Sequence, residues 1–166
     1  MDKQRSAAEP VVRAIEAYSD MIIRIAYQNL QSREDSEDVA QEVFIKLISH
    51  PGFDDDEYLK AWLIRVTVNL CKDLLRKLKR RRTQPGFDEE WEPFSDEQQW
   101  VFDTLRSLPP KYKNVIYLYY YEGYSTPEIS AIIGKSEKTV WSQLSRGRDK
   151  LKDLLIEGGY GDGEYI

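Results

Sequence analysis

Between Ser125 and Leu151 the chain carries the signals of two helices joined by a very short corner. Ser125 and Glu128 stand at capping-box spacing, in which the serine oxygen accepts the amide three residues on and the glutamate accepts the serine amide. Pro127 falls in the first turn, where its missing N–H costs nothing. Ile129, Ile132 and Ile133 form one apolar face, and Gly134 supplies the left-handed residue that ends the helix. Ser136 then opens a second helix with Val140, Leu144 and Leu151 on its inner side and Lys138, Arg146, Arg148, Lys150 and Lys152 on the others. A short helix, a tight turn and a longer cationic helix is the geometry that seats a recognition helix in a DNA major groove. An ordinary helical hairpin with a solvated charged face fits the same residues.

The net charge of −5 opposes DNA binding only if it is evenly spread. Residues 65–82 hold eight basic side chains against the single acid Asp73, whereas residues 88–97 hold six acids and no base. Attraction to phosphate acts over about 10 Å at ~0.1 M salt, so local blocks matter more than the sum. Segregated blocks suit a protein that touches DNA with some faces and a protein partner with others. Cys71 is the only cysteine and His50 the only histidine. One cysteine excludes an internal disulfide and a cysteine-based zinc finger, one histidine argues against a His-centred triad or a multi-His metal site, and no cofactor or metal is expected. The polar segment Met1–Pro10 and the lack of an 18-residue apolar run argue against a signal peptide or membrane span, as expected of a cytoplasmic protein.

The periodicity is helical throughout, which predicts an all-α fold. Apolar residues including Val12, Ile15, Ile22, Ile23, Ile25 and Ala26 predict a helix over Glu9–Leu30. Ser36 is the expected cap of a second helix, Glu37–Ser49, with Val39, Val43, Phe44 and Leu47 inward. After a loop at His50–Asp56, Leu59, Leu63, Val66, Leu70, Leu74 and Leu78 predict a long helix from Glu57 to Arg82. Pro85, Gly86 and Pro93 break the pattern and mark an acidic linker. Helices over Asp96–Ser107 and Lys111–Glu122 are expected next, separated by Pro109-Pro110. The expected organisation is a first helical domain at 1–82, a linker at 83–95, a helix-turn-helix domain at 96–157 and a flexible tail at 158–166.

The long helix changes character along its length. Tyr58, Trp62, Arg65, Thr67 and Asn69 combine rings with hydrogen-bonding groups, and a cationic rod follows. That combination suits single-stranded DNA, on which each stacked base contributes ~1–3 kcal/mol. Trp62 as a core residue fits the pattern equally well.

Three motifs carry a family resemblance. Glu37-Asp38-Val39-Ala40-Gln41-Glu42-Val43-Phe44-Ile45-Lys46, then Ala61-Trp62-Leu63-Ile64-Arg65-Val66-Thr67-Val68-Asn69 followed by Asp73, resemble two signatures of bacterial RNA polymerase sigma factors of the extracytoplasmic-function class. Leu108-Pro109-Pro110, Gly123-Tyr124-Ser125, Glu128-Ile129-Ser130 and Thr139-Val140 through Arg146-Gly147-Arg148 resemble the promoter-binding C-terminal domain of the same family. The match runs from about residue 9 to 155, with the motifs in the family order.

The resemblance implies a sigma-2-like bundle and a sigma-4-like domain. It implies a non-enzymatic initiation factor that directs core polymerase to promoters and stabilises melting at the −10 element. Asp38, Gln41, Glu42, Phe44 and Lys46 would bind the clamp helices of the largest subunit, and the second domain would meet the flap of the second-largest. Tyr58, Trp62, Arg65, Asn69, Lys72, Arg76, Lys77 and Lys79 would hold the −10 element, with the loop His50–Tyr58 helping to capture a flipped base. Lys138, Thr139, Trp141, Ser142, Ser145, Arg146 and Arg148 would face the −35 element, and an anti-sigma factor is an expected partner. Four positions depart from the family: Trp141 stands where a basic or small polar residue is usual, Gln143 and Ser145 replace residues that are often basic or bulky, and Gly147 stands where alanine is common. The residues alone leave two other readings, a polymerase-binding regulator that does not select promoters and a stand-alone helix-turn-helix regulator.

Overall fold

The computed structural model describes residues 2–80 and 102–158, with side chains from residue 8 onward. The expected linker 83–95, the ends of the two helices flanking it and the tail beyond Gly158 lie outside the described residues. Two compact units separate between Pro93 and Phe94. No strand occurs among the described residues.

The first unit is a bundle of α1 (Asp2–Leu30), α2 (Arg33–Ile48) and α3 (Asp56–Arg80), each packed on the other two. Ile22, Ile25, Ala26 and Leu30 of α1 meet Val39, Val43 and Leu47 of α2 and Leu63, Ile64, Val68 and Cys71 of α3 in one core. The first helix begins well before the expected Glu9 and runs through Pro10. Glu9 and Pro10 are exposed, so this turn buries no face that periodicity could reveal. Val12, expected inward, is half exposed on the same solvated turn.

The start of α2 also differs from expectation. Its cap is Ser32, whose side chain accepts the Asp35 amide at 3.2 Å. Ser36 is buried and donates its hydroxyl to the Ser32 carbonyl at 2.6 Å. Both serines suit a cap locally, and the α1–α2 corner decides between them. Gln31 turns that corner in the left-handed region at φ 53°, so only Gln31 and Ser32 separate the two helices.

Among the described residues the second unit contains a helical stretch at 102–106, followed by α4 (Pro110–Ile116), α5 (Thr126–Ile133) and α6 (Glu137–Glu157). The expected continuous helix Lys111–Glu122 is α4 followed by one π-helical turn, Tyr117–Tyr121. This wider turn stacks Tyr117 on Tyr121 at 5.0 Å, with Phe102 against both rings at 6.1 and 5.7 Å. The Tyr117 hydroxyl donates to Glu122 at 2.7 Å, closing the turn. Ring packing that depends on Phe102 overrides the local α-helical pattern.

The helix-turn-helix forms as its residues predict. The Ser125–Glu128 capping box is complete in both directions. Gly134 takes the left-handed conformation at φ 69°, and Ser136 caps α6 by accepting the Thr139 amide at 3.1 Å. Ile129, Val140 and Leu144 are wholly buried. At Gly147 α6 approaches α4 closely. A Cβ there would sit 2.8 Å from Ile116 Cδ1 and 3.2 Å from Tyr112 Cβ.

Candidate functional site

The α3 residues expected to meet DNA fall on one face of the helix. Tyr58, Trp62, Arg65, Asn69, Lys72, Arg76 and Lys79 follow alternating four- and three-residue steps, which keep side chains on one stripe. Leu63, Ile64, Thr67, Val68 and Cys71 fill the opposite side and fix the helix's rotation. Tyr58, Arg65, Asn69, Arg76 and Lys79 are exposed, and Trp62 and Lys72 are half-buried. Lys77 is exposed but lies one residue off the stripe. Thr67, expected among the presented groups, is buried and donates its hydroxyl to the Leu63 carbonyl at 2.7 Å. Arg76 pairs with Asp73 at 3.7 Å. So exposed a pair is held weakly, leaving the guanidinium available to phosphate.

Trp62 is both packed and presented. Its ring lies 5.0 Å from His50 and 5.3 Å from Phe53, and His50 stacks on Phe53 at 4.0 Å. His50 Nδ1 accepts the Gly52 amide at 3.1 Å, and Tyr58 approaches Phe53 at 5.8 Å. The loop before α3 is therefore braced by aromatic rings. Asp55 accepts the Tyr58 amide at 2.6 Å, and Asp56 accepts the Tyr18 hydroxyl. Two of the three adjacent aspartates thus secure the helix start.

On α2, Asp38, Gln41, Glu42 and Lys46 are exposed, while Phe44 is half-buried at the edge of the core. Sequence reasoning missed Ile45 and Ile48, which are 62% and 64% exposed. They stand four and seven residues after Gln41 on the outward face, and that spacing was the available signal. This face is an apolar centre ringed by acidic and amide groups.

On α6, Lys138, Trp141, Ser145 and Arg146 are exposed, and Thr139 and Ser142 are half-buried. Ser136 donates to the Thr139 hydroxyl oxygen at 2.8 Å, which leaves the Thr139 proton free to donate outward. Trp141, expected on the outward side by the family resemblance, points to solvent. Arg148 stands apart from the others, donating to the Tyr120 hydroxyl of the π-helical turn at 3.3 Å. Lys138, Thr139, Ser142, Gln143 and Arg146 line an open groove of about 340 Å³ whose other wall is Lys111 and Tyr112. Lys111 was missed because it stands some 30 residues upstream. It enters the groove because Pro109 and Pro110 start α4 beside α6.

A stripe running from rings to cations in one unit and a cationic helix-turn-helix in the other is matched by two family patterns. Sigma-70 region 2 matches residues 14–81, and sigma-70 region 4 matches residues 98–151. RNA polymerase sigma factor SigZ of Bacillus subtilis is 33% identical over 126 residues, covering 72% of each chain. The chain belongs to the sigma-70 family of RNA polymerase sigma factors. Its similarity to the ECF RNA polymerase sigma factor SigM of Mycobacterium tuberculosis, 30% over 139 residues and covering 80% of this chain and 70% of that protein, places it in the extracytoplasmic-function class. The ECF RNA polymerase sigma factor SigE of Mycolicibacterium smegmatis is 31% identical over 155 residues, 86% of this chain, which spans 60% of that protein. Among solved structures, CnrH in complex with the cytosolic domain of CnrY superposes with a TM-score of 0.64 at 29% identity, over 93% of this chain and 90% of CnrH. As a sigma factor, the chain directs RNA polymerase to promoters. No described helix is long and apolar enough to cross a membrane.

Proposed function

We propose that the two units divide the work of initiation between them. The outward face of α2, with Ile45 and Ile48 at its centre and Asp38, Gln41 and Glu42 around them, docks on the clamp helices of core polymerase. The stripe on α3 takes the −10 element. Tyr58 and Trp62 stack on unpaired bases, and Asn69 meets a base edge with its paired donor and acceptor. Lys72, Arg76 and Lys79 hold the adjacent phosphates, which position the strand without reading it. In the second unit the outward face of α6 reads the −35 element, while Lys111 and Arg146 grip phosphate from opposite sides of their groove.

The observation that carries this reading is the single face of α3, on which rings, an amide and cations follow in order. An enzyme would need a reacting group, whereas these residues offer stacking, hydrogen bonding and charge. The factor thus acts by binding alone, in the cytoplasm with the polymerase it serves. The exposed α2 face is also the surface an inhibitory partner of this chain would cover; CnrH, which the chain resembles, forms a complex with the cytosolic domain of CnrY.

Run-off transcription tests the reading, using a pool of genomic fragments and core polymerase with and without the full chain. New start sites sharing two upstream motifs are the expected result. Binding to core without new starts would replace promoter selection by inhibition of polymerase.

A further inference from the structure

We propose that Trp141 reads the 5-methyl group of a thymine in the major groove of the −35 element, selecting sequence by apolar contact. The inference rests on the promoter-binding reading above and adds the chemistry of one contact. Trp141 is the fifth residue of α6, within the N-terminal part of a recognition helix that reaches base edges. Its side chain is 53% exposed, whereas Val140 and Leu144 beside it are at 0%. Those two anchors and the close approach at Gly147 fix the rotation of α6, so the indole is held outward. Lys138 and Ser145, three residues before and four after, share its side of the helix. Ser142 and Ser145 are short, leaving the indole to project beyond its neighbours.

The nearby cations, Lys138 and Arg146, match the charge of DNA and identify it as the occupant of this surface. An indole has one N–H donor and no acceptor, so it cannot form the bidentate pairs by which arginine or glutamine reads a purine. Its binding energy comes from buried area. In the major groove only thymine offers a methyl group for such contact. Trp141 therefore adds selectivity without a phosphate contact, and that part of the affinity is independent of salt.

The test uses polymerase reconstituted with the full chain on a promoter recovered by run-off transcription. Each thymine of the −35 element is replaced in turn by deoxyuridine, which lacks only the methyl. At one position the wild-type complex is expected to lose about fourfold in affinity, the worth of one buried methyl-sized group. Trp141→Ala is expected to bind about tenfold more weakly, to be indifferent to that replacement and to keep the wild-type dependence on salt. Trp141→Phe is expected to retain the methyl dependence. Equal responses of wild type and Trp141→Ala at every thymine would overturn the proposal, as would a shallower salt dependence in Trp141→Ala. Either result leaves the promoter reading intact, which fails only if the wild-type chain supports no specific initiation.

Discussion

Gly147 carries two opposing effects on one residue. Within a helix, glycine is about 1 kcal/mol less favourable than alanine, so helix propensity alone predicts that alanine would stabilise α6. The structure reverses that expectation. An added Cβ would lie 2.8 Å from Ile116 Cδ1, which could swing away, but also 3.2 Å from Tyr112 Cβ, which cannot move without its backbone. Overpacking of this kind costs about 1–3 kcal/mol, enough to outweigh the gain in propensity. Gly147→Ala is therefore expected to lower the melting temperature of the second unit by a few degrees, as followed by circular dichroism. Adding Ile116→Val removes the nearest clashing atom, and the pair is expected to cost less than the sum of the single changes. A higher melting temperature for Gly147→Ala would mean that α6 and α4 separate freely. Residues alone showed the glycine and its cost to the helix, but its purpose lay in Tyr112 and Ile116, some 30 positions away.

Whole elements were legible wherever a periodic apolar face had a local stop signal. The capping box at Ser125, the left-handed Gly134 and the cap at Ser136 are short-range devices, and the structure contains all three. Elements were less legible where distant packing chose between local options, as at Ser32 against Ser36 and in the π-helical turn formed around Phe102. The outward face of α2 shows a further limit. Apolar residues at helical spacing read as core, as Phe44 did, and the family resemblance pointed to Phe44 for docking, so Ile45 and Ile48 passed unnoticed. Large apolar groups exposed near one another on a helix mark a contact surface more often than a random accident. Because Ile45 is 62% exposed, Ile45→Asp is expected to leave folding stability nearly unchanged. It is also expected to weaken binding to core polymerase at least tenfold, by removing an apolar centre and placing a carboxylate beside Asp38 and Glu42. Competition for core against the unmodified chain measures both affinities in one assay. Equal competition would move the docking surface off this face of α2.

For the whole molecule, the net charge of −5 sets a limit on what the chain can do alone. Cations concentrated on α3 and α6 attract phosphate locally, but the acids elsewhere oppose the close approach of a polyanion. The surface proposed to face DNA on each unit is also small, and a few contacts of this kind give affinities near the non-specific range of about 10⁻⁴–10⁻⁶ M at physiological salt. Specificity then comes from linkage. Once one partner holds both units against the same duplex, the second contact becomes intramolecular, and affinity can rise by about 10²–10⁴ without any new interaction. The full chain alone is therefore expected to bind its promoter no tighter than about 1 µM and to distinguish it poorly from scrambled duplex. With core polymerase, the preference for the promoter is expected to widen at least a hundredfold. Fluorescence anisotropy at fixed salt, with and without core, measures both. Tight, selective binding by the chain alone would instead make it a free-standing helix-turn-helix regulator, and the stripe on α3 would need another explanation. That stripe explains why the weaker outcome is expected. The proposed stacking groups Tyr58 and Trp62 would act on unpaired bases, and opening a duplex costs a few kcal/mol per base that such contacts would not supply without the polymerase.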